Sequence, residues 1–200
     1  MWNLQPTLEG QIVWLEPLAR EHHNGLRSAA APPEIWDYWS FNAGNSDAAF
    51  DAWFDGCIAE GAAGGDAHFA TILQATGEPV GSTSFCEARE DDRGIEIGWT
   101  WLTPSVWGTG ANTEAKFLQL RYAFEVLDCI RVQWDTYATN ERSRAALTKL
   151  GATFEGVWRN YSIRTEDGSK VSSAFYSVID DEWPTIRANL IDSIARARGS

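Results

Sequence analysis

The chain has 200 residues, of which 44% are hydrophobic, 12% aromatic and 22% charged. That profile fits a folded globular domain and excludes disordered, collagen-like and disulfide-scaffold sequences. Sixteen Lys and Arg against 28 Asp and Glu leave a net charge of −12, which argues against a nucleic-acid or anionic-membrane surface, since either needs clustered positive charge.

Residues 11–15 alternate and stop at Pro17, so they read as a strand. Residues 20–30 have a helical composition that Pro32-Pro33 ends, and a short helix is expected over 34–39. Ser46-Asp47 supplies a cap and a first-turn acid for a helix to about Glu60. Residues 68–74 and 79–87 flank a Thr76-Gly77 turn and read as a hairpin. Residues 94–102 set Ile95, Ile97, Trp99 and Trp101 against Glu96, Gly98 and Thr100, a strand with two distinct faces. A turn over 103–110 leads into a helix to about Leu127, along which Ala111, Ala115, Leu118 and Tyr122 recur at helical spacing. Residues 131–137 form another strand, and 140–150 a short helix closed by Gly151. Residues 154–163 and 171–179 make a second hairpin around Asp167-Gly168, and a last helix runs from near Asp180 to about Arg196. Neither a repeat nor a linker divides the chain, so residues 1–200 read as a single α/β (α+β mixed-sheet) domain.

No apolar run approaches the roughly 20 residues of a membrane-spanning helix. Residues 1–6 lack the basic start and apolar middle of a secretion signal, so a cytoplasmic location is expected. Cys57, Cys86 and Cys129 are far apart among apolar neighbours and read as buried reduced thiols. No metal-ligand spacing is present; the adjacent His22 and His23 point to different faces and read as surface or cap histidines.

Two segments carry chemistry. In the first, Gly108-Thr109-Gly110 precedes a helix, where freed backbone N–H groups converge on an anion with help from the helix dipole. A tight turn explains the glycines equally well, and Thr113 stands where a dinucleotide fingerprint needs a third glycine. In the second, Asn140-Glu141-Arg142-Ser143 opens a helix, and taken alone an N-cap accounts for it. Both lie at the carboxyl ends of what would be neighbouring parallel strands, the edge at which such sheets bind ligands.

With those residues in view, the chain resembles the GCN5-related N-acetyltransferases (GNAT), in the branch of the RimJ/RimL-like ribosomal-protein N-acetyltransferases. The resemblance rests on Glu96-Ile97-Gly98-Trp99, on Pro104-x-x-Trp107-Gly108-x-Gly110-x-x-Thr113-Glu114-Ala115, and on Asn140-x-x-Ser143-x-x-Ala146-x-x-Lys149-Leu150-Gly151-Ala152. Glu155-Gly156, Leu8-x-Gly10, Leu15-x-Pro17-Leu18 and Tyr176-Ser177-Val178 extend it over about residues 8–184. It implies a central, mostly antiparallel sheet with one splayed parallel strand pair, flanked by helices.

The resemblance also implies acetyl-CoA as cosubstrate, an amine acceptor and no metal. The acceptor is a protein N-terminal α-amine or a small-molecule amine. Cofactor contacts would come from Trp101, Leu102, Trp107, Gly108, Thr109, Gly110, Ala111, Asn112, Thr113, Asn140 and Ser143. Glu96 is the candidate general base, with a solvent-facing or structural carboxylate as the competing reading. Trp36, Tyr38, Trp39 and Phe41 fall where the acceptor pocket is walled, and Trp36, Trp39, Arg159 and Tyr161 are the substrate-side candidates; a plain hydrophobic cap accounts for the aromatic group as well. The chain departs from the family at three places. Ser105 stands for a Gln or Arg, the loop at Thr109 and Asn112 has no basic side chain, and Leu147 replaces the tyrosine that protonates the leaving thiolate, a role that passes to Ser143 or water. These departures keep alive a catalytically silent acyl-CoA-binding sensor or scaffold, and beyond it an interaction module built on the tryptophans. The apolar edge of the second hairpin offers a surface for a homodimer.

Overall fold

In the computed structural model, which describes residues 1–164 and 167–199, most elements sit where alternation and turn chemistry put them. Strands β1 (Leu8–Glu9), β2 (Val13–Pro17), β3 (Ala67–Leu73), β4 (Pro79–Arg89), β5 (Gly94–Leu102), β6 (Arg131–Tyr137), β7 (Thr153–Ile163) and β8 (Lys170–Ile179) form one sheet. Its order is β1-β2-β3-β4-β5-β6-β8-β7. Every neighbouring pair is antiparallel except β5–β6. Helices α1 (His23–Ala29) and α2 (Asp47–Ala62) cover one face; α3 (Ala111–Glu125), α4 (Glu141–Leu150) and α5 (Trp183–Arg198) supply the core of the other.

Local chemistry sets the helix ends. Ser46 Oγ accepts the Ala49 N–H at 3.1 Å, and Asn140 Oδ1 accepts the Ser143 N–H at 3.0 Å, so both caps do the work their residue types suggest. Gly151 closes α4 at φ +101°, a left-handed position that a side chain disfavours. On the α3 side the core gathers Phe85, Ile95, Ile97, Leu118, Leu147, Trp183 and Leu190. On the other side it gathers Leu26, Trp36, Phe50, Phe54, Ile72 and Trp101.

The two-faced reading of residues 94–102 fails in its second half. Ser84 faces Gly98 and Ser82 faces Trp101, so the single residue Thr83 stands opposite both Trp99 and Thr100. This is a β-bulge, with Trp99 at φ +49°. Because side chains alternate with a period of two, one extra residue reverses the faces of everything beyond it. Ile95 and Ile97 pack on the α3 side with Leu102, whereas Trp101 turns to the α1 and α2 side. Trp99 does not join the Ile95 and Ile97 face; its ring is half exposed.

Other expectations need smaller corrections. Residues 34–39 are not a helix: a 3₁₀ turn at Pro33–Ile35 is followed by bends, and the Trp36 indole donates to the Ala30 carbonyl at 2.9 Å, folding the segment back on α1. The first long strand starts at Val13 rather than Gln11. The Glu114 carboxylate takes the N–H groups of Gln11, Ile12 and Val13 before sheet pairing begins. His22 is buried rather than on the surface: Nδ1 accepts the Ala19 N–H at 3.1 Å, a capping contact, and Nε2 meets Glu16 at 2.9 Å. His23 points elsewhere, to Asp51 and edge-on to Phe50 and Phe54. The three cysteines are free and buried, and burial pushes the Cys57 thiol up to about 12. The turn of the second hairpin is described from Asp167 onward, residues 165–166 lying outside the described residues. Among the described residues no helix is long and apolar enough to cross a membrane.

Candidate active site

The parallel strands β5 and β6 stay together only briefly. Register holds at Gly94↔Arg131, Ile95↔Val132 and Glu96↔Gln133, while β5 runs on to Leu102 and β6 to Tyr137. Past Glu96 the edge of β5 that faces β6 therefore has backbone donors and acceptors without a strand partner among the described residues. The bulge at Trp99 and Thr100 bends β5 at this opening. At the same end the chain enters the loop ahead of α3.

That loop is built to leave a helix N-terminus accessible. Gly108 and Gly110 stand at φ +79° and +93°, and Gly110 directly precedes α3. A Cβ on Gly108 would meet no atom within 4 Å, so the loop is open there. A Cβ on Gly110 would come within 2.7 Å of Ala197 Cβ and 3.0 Å of Ile12 Cδ1, so Gly110 also seats the loop against α5 and the residue that precedes β2. Among the described residues the Asn112 and Thr113 N–H groups of the first turn have no acceptor, while the Ala111 N–H meets Thr109 Oγ1 at 3.5 Å, and the dipole of a 15-residue helix lies behind them. The Thr109 hydroxyl donates to the Val106 carbonyl at 2.7 Å, bracing the turn. The loop's own sequence is free of cations, yet α4 brings one: the Arg142 guanidinium lies 4.2 Å over the Trp107 ring. The Trp107 indole in turn donates to the Leu102 carbonyl at 2.8 Å. The free strand edge offers backbone groups that can pair with amides, and the helix N-terminus offers donors for an anion.

On the other face of β5 from Ile95 and Ile97 lies Glu96. Its Oε2 accepts from Gln133 Nε2 at 3.1 Å, and Gln133 Oε1 accepts from Arg131 Nε at 3.1 Å. Burial pushes the Glu96 carboxyl up to about 7; the Gln133 hydrogen bond opposes the rise, and the charges of Asp135, Glu87 and Asp66 add to it. Asp135, on β6, is also raised, chiefly by burial, against hydrogen bonds from Ser173 and Glu96. The charge of Asp135 adds to the burial that keeps the Glu96 proton on, so the two carboxyls titrate as a pair. Asp135 was missed in the sequence; its signal is the polar alternation of Gln133 and Asp135 between buried Val132 and Trp134.

Aromatic rings border these carboxylates. Trp99 Nε1 donates to Asp66 Oδ2 at 3.0 Å, and the Trp99 ring lies 5.9 Å from that of Trp39. Behind them Trp36 packs against Trp39 and Trp101, so Trp36 is buried backing rather than an open wall. The Tyr161 ring packs edge-on against Trp158 and Phe175, and its phenol is pushed up, first by burial and then by the charges of Asp135, Glu96 and Glu87. Arg159 is exposed and joins none of these contacts among the described residues. At the far end of β6, Asn140 commits its Oδ1 to the cap and keeps its amide NH₂ end as a donor. Ser143 is half-buried one turn into α4, and Leu147 is buried in the core.

The comparisons agree with this geometry. The family model described as an acetyltransferase (GNAT) domain matches residues 13–153. A GCN5-related N-acetyltransferase from Brucella melitensis superposes with a TM-score of 0.88 at 28% identity, over 96% of this chain and 89% of its own. Mycobacterium smegmatis RimJ, solved in complex with CoA-disulfide, shares the fold at a TM-score of 0.76 and 20% identity, over 96% of this chain and 94% of its own. The uncharacterized N-acetyltransferase YoaA of Bacillus subtilis is 29% identical over 104 residues, 52% of this chain and 57% of that one, so the match spans little more than half of each. A parallel pair that opens beside a glycine-bounded helix N-terminus, inside a domain matched over residues 13–153, makes this chain a member of the GNAT acetyltransferase family.

Proposed function

We propose that the protein is an acetyl-CoA-dependent N-acetyltransferase that moves an acetyl group directly to a primary amine within a ternary complex. The observation that carries the reading is the loss of β5–β6 pairing past Glu96 at the end where α3 begins. The pantetheine arm pairs with the free edge of β5 as an added strand, and Asn140 donates its amide NH₂ to it. Backbone N–H groups of residues 108–112 take the diphosphate, with Arg142 over Trp107 supplying positive charge beside them. The Leu102 carbonyl is already used by Trp107, so the pairing draws on the backbone nearer Trp101. An N–H at the bulge polarises the acetyl carbonyl as it becomes tetrahedral.

The acceptor enters from the side of the carboxylates. An ammonium acceptor first gives one proton to ionised Glu96, which passes it to water; the neutral nitrogen then attacks the carbonyl carbon, and the second N–H proton leaves by the same carboxylate. The carbonyl re-forms as the C–S bond breaks, and the CoA thiolate takes a proton from the Ser143 hydroxyl, which recovers one from water. Trp39, Trp99 and Tyr161 around Asp66, Glu87, Glu96 and Asp135 suit an acceptor that arrives as a cation, either a small amine or the N-terminus of a peptide. The exposed apolar residues Val157, Trp158 and Ile163 of β7 are the surface for a second copy of the chain.

Leu147, packed in the core with no phenol to offer, favours the second reading, an acyl-CoA binder without turnover. Release of CoA thiol from acetyl-CoA, measured with a panel of primary amines and peptides with free N-termini, separates the two. Amine-dependent thiol release with formation of the acetylated amine supports the enzyme; tight acetyl-CoA binding with no release across the panel supports the silent binder.

A further inference from the structure

Beneath the bulge, on the face of the sheet away from Glu96, Lys116 of α3 is 5% exposed and makes no ion pair among the described residues. Its Nζ donates to Thr83 Oγ1 at 2.9 Å, to Thr100 Oγ1 at 2.5 Å and to Gln119 Oε1 at 3.4 Å. Thr100 is one of the two bulged residues, and Thr83 is the single residue opposite them. The two hydroxyls lie 2.8 Å apart. Thr83 Oγ1 also donates to Gln119 Oε1 at 3.0 Å, and Gln119 Nε2 reaches the Ser84 carbonyl at 3.2 Å. All four polar side chains thus converge on the irregular part of β4 and β5.

An ammonium buried without an anion is costly, and an apolar residue of similar volume in its place would pack more cheaply. Burial brings the Lys116 amine down to about 7, so the group sits there as a neutral or easily neutralised donor, and its neighbours are neutral acceptors. Its placement along α3 matters more. Lys116 comes six residues after Gly110, so about 9 Å of helix separates the N-terminus proposed to hold the diphosphate from the amine that grips the bulge. A bulge has no fixed side-chain preference to hold it in place, and its migration by one residue would return Thr100 and Trp101 to the opposite faces.

We infer that Lys116 is a positioning residue that locks the β5 bulge to α3, so that the acetyl and diphosphate ends of acetyl-CoA are held at one spacing. This rests on the reading of the gap given under Proposed function. The lock would act on the acetyl end alone, because the loop at residues 108–112 is braced by its own contacts with Val106, Ile12 and Ala197.

The experiment compares Lys116→Met, Thr100→Val and Thr100→Ser with the parent chain. Met keeps the length of the side chain and loses the donor; Val keeps the shape of Thr and loses the hydroxyl; Ser restores the hydroxyl. Lys116→Met and Thr100→Val are expected to lower kcat roughly tenfold to a hundredfold, the loss that follows small misplacement of reacting groups. The dissociation constant of free CoA, which lacks the acetyl group, stays within about threefold, and Thr100→Ser returns kcat towards the parent value. Hydrogen exchange at the amides of residues 99–101 in the free protein reads the same contact without any substrate. It is expected to quicken about tenfold in both damaged variants while α3 amides keep their protection. If Lys116→Met does not fold, the Thr100 pair carries the test. Unchanged kcat with unchanged exchange, CoA affinity falling in step with kcat, or no difference between Thr100→Ser and Thr100→Val would each overturn the inference. A parent protein that neither binds nor turns over acetyl-CoA would instead overturn the functional reading, and the exchange measurement would still decide whether Lys116 fixes the bulge.

Discussion

Lys116 and Glu96 face opposite sides of the same stretch of sheet, and burial moves both towards about 7, one downward and one upward. Their surroundings differ. Lys116 is enclosed by two threonine hydroxyls and a glutamine carbonyl, with its donors occupied. Glu96 sits at the last paired position before β5 and β6 part, with the charge of a second carboxyl acting on it. On the proposed roles of the two groups, a displaced proton affinity does not by itself make a group reactive. Enclosed, the group holds geometry; at an opening, the same displacement puts its proton exchange near neutral pH, where a base is useful.

The largest effect that tests this contrast belongs to Glu96→Gln. We expect kcat/KM to fall about 100-fold or more, within the range that a positioned base contributes, with acetyl-CoA affinity little changed. The parent profile of kcat/KM should rise through pH ~7 as Glu96 ionises, and the variant should lose that limb. Steady-state rates from pH 5.5 to 9 check it, and an unchanged profile would remove Glu96 from the chemistry.

Asp135→Asn sharpens the same side. The charge of Asp135 adds to the burial that holds Glu96 neutral. Removing it lowers the Glu96 pKa, so the rising limb should move to lower pH by about one unit. A shift to higher pH would mean that Asp135 helps ionise Glu96 and would reverse the assignment of the pair.

The smallest effects are in stability, and the two groups should act in different pH windows. Glu96 binds its proton more tightly in the folded chain than in the unfolded one, so its contribution is present at low pH and is lost as pH rises from about 4.5 to about 7. Lys116 binds its proton less tightly in the folded chain, so its contribution grows as pH rises from about 7 to about 10.5. Thermal midpoints taken across both windows should shift by a few degrees. Glu96→Gln should flatten the acidic window alone and Lys116→Met the alkaline window alone; either variant flattening the other's window would contradict the comparison.

Much of this arrangement can be read from the letters, and the exceptions share a cause. Caps and glycine turns are local, so Ser46, Asn140, Gly108, Gly110 and Gly151 announce their roles in sequence. The strand and turn order also brings Glu96, the α3 N-terminus and Asn140 to one edge. The bulge is not local: Trp99 carries no preference for φ +49°, and only the register against Thr83 reveals the extra residue. Residues 34–39 look helical until the Trp36 indole finds the Ala30 carbonyl. Lys116 and Gln119 lie three apart like an exposed polar pair on α3, yet both are buried because Thr83 and Thr100 wait beneath them. Arg142 looks like a surface residue of a helix start and turns out to lie over Trp107, on the loop whose own sequence lacks a cation.

On the proposed function, acetyl-CoA lies in the opening between β5 and β6, at the N-terminus of α3. Calorimetric titration of the parent protein and of Asn112→Asp, with free CoA and ADP as controls, tests it most directly. Asn112 is half-buried in the first turn of α3, where an aspartate favours the helix itself through its dipole but repels a diphosphate. Micromolar binding to the parent is expected, with roughly tenfold weaker binding to the variant at an unchanged or higher thermal midpoint. Binding that is absent in the parent, or equally tight in the variant, would contradict that placement.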